Sequence, residues 1–180
     1  MKWLQWALLA GGGAMLAYCG FVWIDALAFD HVERGRSIAI SSAAPNLALA
    51  NASSLGRLEI PRLGVSAVVL EGTSGKTLRR AVGHIAGTGL PGRPGNVGIA
   101  GHRDTFFRPL RNIRRKDIIL LNTANGEFRY EVLSTRVVSP SQVEVLEAGK
   151  SEILTLVTCF PFYRIGAAPD RFIVRAKRIA

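Results

Sequence analysis

The chain has 180 residues, 48% hydrophobic and 20% charged, which excludes a wholly disordered polar chain because there is ample apolar surface to offset the entropy of ordering. Its formal net charge is +10. Lys2, Arg34 and Arg36 balance Asp25, Asp30 and Glu33, so the whole excess lies from Ser53 onward, in about 128 residues that suit one domain.

Residues 3–24 run for 22 positions without a formal charge. At a rise of ~1.5 Å per residue they make a helix of about 33 Å, enough for a bilayer core. Trp3, Trp6 and Trp23 sit towards its ends, where amphipathic rings prefer the interface. Gly11, Gly12, Gly13 and Gly20 are tolerated in lipid because helical hydrogen bonds stay internal. A cleaved signal peptide is the competing reading, but its apolar core would be long and no clear small-x-small site follows before Asp25 and Asp30. The expectation is an uncleaved single-pass membrane anchor. Lys2 and the amino terminus place residues 1–2 in the cytoplasm and the following domain outside.

Residues 25–54 change character. A stretch with helical possibilities, 25–36, gives way to Ser41, Ser42, Ala43, Ala44 and Pro45, then Asn46 and Asn51, as expected of a stem and linker. His31 lies near Asp30 and Glu33, but no second histidine or cysteine completes a metal site, and it reads as solvated.

From residue 55 to 180 the pattern is one of short apolar runs punctuated by Gly and Pro: 55–63, 65–70, 96–102, 117–122, 128–138, 152–160 and 172–179. Such runs predict a mainly β domain. Residues 77–82 and 106–113 read as short helices, the second with Asp104 or Thr105 as N-cap. Asn125-Gly126 is the strongest hairpin signal, and residues 87–95, with Pro91 and Pro94, read as a surface loop. A small closed β-barrel with one or two helices fits this spacing. Residues 103–116 carry Arg103, Arg108, Arg111, Arg114, Arg115 and Lys116 against Asp104 alone. That density attracts polyanions, but with no DNA- or RNA-binding motif the expectation is a solvated face or one resting near anionic headgroups, not a nucleic-acid partner. The acids form no group that suits a metal, and neither metal nor cofactor is expected.

Three residues stand where chemistry is accessible. In 152–160 alternation puts Ile153, Thr155, Val157 and Cys159 on one face and Leu154, Leu156, Thr158 and Phe160 on the other, with Pro161 ending the strand. Cys19 falls in the apolar N-terminal segment, so no disulfide with Cys159 is expected. Cys159 is then either a small buried hydrophobe or a reactive thiol. Arg171 opens the next strand, and a hairpin about the intervening loop would set it opposite Cys159, at about 5 Å between Cβ atoms. A guanidinium there favours a thiolate or an oxyanion, although from spacing alone a surface arginine on a basic strand with Arg175, Lys177 and Arg178 is the better fit. His102 ends an apolar run between strand and helix, with His84 as rival. A hydrogen-bonded structural histidine is the default for both. A thiol near pKa 8.5 is only a few per cent thiolate at neutral pH and needs such a partner for nucleophilic work.

The wording around these residues sharpens the reading: Gly101-His102-Arg103-Asp104-Thr105-Phe106-Phe107, then Thr155-Leu156-Val157-Thr158-Cys159-Phe160-Pro161-Phe162, then Ala168-Pro169-Asp170-Arg171-Phe172-Ile173-Val174. Over residues 55–180 the chain resembles the sortase family, class D in particular. The resemblance implies an eight-stranded β-barrel and a catalytic Cys159, His102 and Arg171; His84 matches no such position. It implies cleavage of a sorting signal of the Leu-Pro-x-Thr-Gly type in secreted proteins, through a Cys159 thioester passed to an amine of a cell-wall precursor or a protein lysine. It also implies a membrane-anchored enzyme with an extracytoplasmic site. A tyrosine frequent in the family just after the cysteine is Phe160 here. The alternatives are a cysteine peptidase of the envelope and a membrane-tethered basic binding module. Papain-like enzymes have the cysteine before the histidine, and L,D-transpeptidases carry an S-x-G-C type signature that is absent.

Overall fold

The computed structural model describes residues 2, 3, 5, 6, 12, 13, 15–24, 54–164 and 166–179. The N-terminal ones among them, up to residue 24, are helical. Among the described residues no helix is long and apolar enough to cross a membrane. Part of the expected 3–24 span and nearly all of the expected 25–54 stem, His31 included, lie outside them.

From Ser54 the chain builds eight strands: β1 (Ser54–Ile60), β2 (Val65–Glu71), β3 (Val82–His84), β4 (Gly95–Ala100), β5 (Ile118–Thr123), β6 (Gly126–Val138), β7 (Glu152–Phe160) and β8 (Asp170–Arg178). They close in the order β1-β2-β3-β4-β7-β8-β6-β5, with β5 pairing back to β1. The mainly β barrel matches expectation. β3 was not foreseen, because three residues, Val82-Gly83-His84, are too few to show a period. It pairs with β2 on one side and β4 on the other.

The helices differ more. Residues 77–82 were expected to be helical; the helix is Gly75–Arg80, capped by Ser74, whose side chain accepts from Thr77 N. Residues 106–113 form turns and then a 3₁₀ helix, Arg108–Asn112, in which Pro109 removes a donor that a longer α-helix would need. A further 3₁₀ turn, Val143–Leu146, lies in the β6–β7 connection. The predicted hairpin joins β5 and β6, with Ala124 and Asn125 at its tip and Thr123 paired to Gly126.

Alternation sorts the strands. Leu58, Ile60, Val97, Ile99, Leu121, Leu154, Leu156, Val174 and Ala176 point into one core, each large aliphatic contributing roughly 1.5–3 kcal/mol by leaving water. His84 is buried on β3. Its Nδ1 lies 2.9 Å from Glu71 Oε2 and its Nε2 2.9 Å from Gly89 O, a hydrogen-bonded structural role as expected by default.

A second polar tie joins the turn after β1 to the start of β5. Arg62 donates through Nε and Nη2 to the buried Asp117, which also accepts from Arg114 N at 2.7 Å. The bonds from Arg62 hold the Asp117 carboxyl below the usual carboxylate range, against the opposing effect of burial. Because the folded group titrates below the unfolded one, its stabilisation is complete above the unfolded pKa of about 3.9 and is lost as pH falls through the lower folded value. Asp117→Asn is expected to cost about 1–3 kcal/mol at neutral pH. Urea unfolding should show the gap from the parent closing as pH drops below about 4.

Candidate active site

β7 lies between β4, to which it is parallel, and β8, to which it is antiparallel. With Leu154 and Leu156 in the core, Thr155, Val157 and Cys159 take the outer face. In the β7–β8 register Cys159 is the direct partner of Arg171, as the hairpin argument anticipated. Both are partly exposed.

His102 reaches the same place from the other side of β7. Strand pairing ends at Ala100 opposite Val157, but two further bonds carry the register on. Gly101 N donates to Val157 O at 3.1 Å and Thr158 Oγ1 donates to Gly101 O at 2.7 Å. His102, one residue further, falls level with Cys159. Val97 and Ile99 are core residues, which leaves Asn96, Gly98 and Ala100 on the outer face, and His102 follows two residues beyond the end of the strand. Cys159 and Arg171 thus share one rung, and His102 follows the end of β4 on the other side of β7.

The turn after β4 is fixed by Phe107, whose N donates to His102 O at 3.1 Å and whose ring is fully buried. On the far side Arg171 Nη1 donates to Asp170 O at 2.9 Å and Ala168 O at 3.3 Å. A guanidinium has five N–H donors in a fixed fork, so donors remain for a ligand. Phe160, Phe162 and Phe172 form an aromatic cluster around the end of β7, with centroids 6.0, 6.3 and 5.2 Å apart, Phe162 and Phe172 packing against the core. Phe160 sits within this cluster, where the ring rather than a hydroxyl makes the contact.

Sequence reasoning missed two polar residues here. Asn96 is buried, accepts from Thr155 Oγ1 at 2.7 Å and donates to Val145 O at 3.0 Å, so it ties the β6–β7 connection onto the outer face of β4 and β7. Arg103 stood in the sequence as one charge of a basic run and as part of the motif around His102, with no role given to it; it is buried, and its Nη2 donates to Arg164 O and Gly166 O. An asparagine within an apolar run was the available signal for the first. Its place beside His102 in the quoted motif was the one local signal that set Arg103 apart from its solvated neighbours Arg108, Arg111, Arg114 and Arg115, all exposed.

Among the described residues no group of three His, Cys, Asp or Glu could hold a metal ion. Cys19 and Cys159 are free thiols.

A family model, the sortase domain, matches residues 58–179. The chain belongs to the sortase family. It is similar to sortase D of Bacillus subtilis (strain 168), 35% identical over 125 residues that make up 69% of this chain and 63% of that protein. It is similar also to sortase SrtE1 of Streptomyces coelicolor, 37% identical over 68% of this chain and 39% of that one. The chain therefore spans less than two thirds of the length of these relatives. Among solved structures, the Clostridium perfringens sortase D5 transpeptidase superposes with a TM-score of 0.64 at 33% identity, covering 71% of this chain and 79% of that one. Sortase A from Corynebacterium diphtheriae gives 0.68 at 27% identity, over 73% and 63%. Within the family this sortase is most like class D.

Close approach of Phe107 requires a glycine at position 101, where a Cβ would lie 2.7 Å from the ring. Gly101→Ala is expected to lower stability by about 1–3 kcal/mol through overpacking and to displace His102. A urea midpoint equal to the parent's would show that the ring yields without cost.

Proposed function

We propose that this chain is a cysteine transpeptidase that cleaves a Leu-Pro-x-Thr-Gly-like sorting signal and passes the acyl group to an amine, attaching secreted proteins to the cell surface. The observation that carries this reading is the register pairing of Cys159 with Arg171, with His102 level on the other side of the same strand, in a chain of the sortase family.

In this mechanism the Cys159 sulfur attacks the carbonyl carbon of the signal's threonine. Its proton passes to His102, and the carbonyl π electrons move onto oxygen. Arg171 donates hydrogen bonds to that oxyanion. The remaining donors of its fork do this while Nη1 is held by the loop carbonyls. Collapse breaks the C–N bond, and His102 protonates the leaving amine of the glycine. A thioester remains on Cys159. An incoming amine attacks it and gives a proton to His102, and the sulfur leaves as a thiolate that takes that proton back from His102, restoring the starting thiol. The acceptor class is an amine of a cell-wall precursor or a protein lysine.

The uncharged stretch 3–24 supports a single-pass anchor with the barrel, 55–180, on the extracytoplasmic side behind a stem of residues 25–54. The barrel's outer-face rung then meets substrates as they emerge from the membrane.

The test is mass spectrometry of the full chain incubated with a panel of Leu-Pro-x-Thr-Gly-like peptides, with and without added amine. The expected result is a thioester adduct on Cys159 and an amine-dependent ligated product, both absent in Cys159→Ala. Arg171→Ala should lower kcat by ~10² to 10³. Ligation that survives Cys159→Ala would overturn the assignment.

A further inference from the structure

The connection from β7 to β8, residues 161–169, borders the thiol and is held at three points. At its start the Phe162 ring packs edge-on against Phe160 and Phe172. At its end Arg171 Nη1 takes the carbonyls of Ala168 and Asp170. Between them Arg103, from the turn after β4, reaches 61 and 63 residues along the chain. Its Nη2 donates to Arg164 O at 2.7 Å and Gly166 O at 2.6 Å.

Arg103 is 9% exposed, and its Nη1 is buried without a hydrogen-bond partner. A guanidinium withdrawn from water with only backbone carbonyls as its hydrogen-bond partners is a costly arrangement, and an arginine in a basic surface run would ordinarily stay solvated. Gly166 adds a second sign of constraint: it adopts a left-handed φ of +83° where its carbonyl meets Arg103, a region that favours glycine.

We infer that Arg103 is a positioning residue: it fixes the β7–β8 connection so that the carbonyls of Ala168 and Asp170 hold the Arg171 guanidinium in one orientation beside Cys159. The inference rests on the proposed role of Arg171 at the oxyanion. It also explains why the residue next to His102 is withdrawn from the basic face. One side chain couples the turn that carries His102 to the loop that orients Arg171, so both partners of the thiol are set together. Both bonds leave from Nη2; a lysine at 103 ends at the position of Cζ, one bond short of that nitrogen, and so does not reach the two carbonyls in the same geometry.

The experiment compares the full chain with Arg103→Lys and Gly166→Ala, each alone and combined with Arg171→Ala. Gly166→Ala strains the same loop from its other end, since an added Cβ meets nothing within 4 Å and acts only through the left-handed backbone. It therefore carries the test should Arg103→Lys fail to fold. Two readouts are used: amide hydrogen exchange of peptides covering residues 161–170, and steady-state cleavage of the panel peptide that the parent turns over fastest. Expected are faster exchange in that loop with β7 and β8 still protected, and a kcat lower by ~10-fold with KM within about twofold. In the Arg171→Ala background the same changes should cost less than about twofold, because the residue they act through is already gone. Unchanged exchange in the loop, an unchanged kcat, or losses that multiply with Arg171→Ala would each overturn the inference. A parent chain that forms no thioester with any peptide would instead count against the proposed function, leaving hydrogen exchange to decide the clamp.

Discussion

The double pairing of β7 is the constraint on which the site depends. It is bound along one edge to β4 and along the other to β8, and its alternate residues Leu154 and Leu156 are fully buried in the core. A one-residue slip would turn those leucines outward and Cys159 inward. The loss would be roughly 1.5–3 kcal/mol for each large side chain exposed. The apolar face thus fixes the register, and the register fixes which residues share a rung on the other face. Packing energy on one side of the sheet sets the placement of reactive groups on the opposite side.

Alternation cannot set the connections between strands, and here buried polar groups take over. Asn96 carries the β6–β7 connection through Val145 O, while its own carbonyl oxygen is satisfied by Thr155. Thr158 holds Gly101 O, and Gly101 N holds Val157 O, so the turn that delivers His102 is stitched to β7 beyond the end of regular pairing. Such contacts are directional, and a buried donor or acceptor deprived of its partner costs the full desolvation of that group. They give each loop one geometry where hydrophobic burial alone would allow several.

The end of the barrel remote from Cys159 is closed by a different network. Tyr130, fully buried on β6, donates to Glu152 Oε1 at 2.6 Å; the same oxygen accepts from Gly92 N at 2.9 Å and from Arg178 at 3.3 Å. Burial first, and the Glu152 bond second, hold the Tyr130 hydroxyl proton far more tightly than in water. Arg178 also lies over the Phe128 ring, 4.6 Å from its centroid. These contacts join β6, β7, β8 and the β3–β4 loop. The strands that carry Cys159 and Arg171 are therefore clamped at the far end, while their near ends are shaped by loops.

The sequence by itself determined the class of fold and much of the site, because both write themselves in local patterns. Short alternating runs between Gly and Pro set out seven of the eight strands, and the period-two reading of residues 152–160 already separated Leu154 and Leu156 from Cys159. The wording around His102, Cys159 and Arg171 marked the sortase family. What only the tertiary structure decided were matters of partnership between distant residues. β3 exists because β2 and β4 flank it; three residues carry no period of their own. His84 and His102 both follow apolar, glycine-containing stretches. Pairing and hydrogen bonds bury the first against Glu71 and bring the second level with the thiol. Arg103 shares its composition with the exposed arginines around it and differs only in meeting the carbonyls of Arg164 and Gly166. A charge reads the same in sequence whether it faces water or a loop sixty residues away, because burial belongs to the fold and not to the residue.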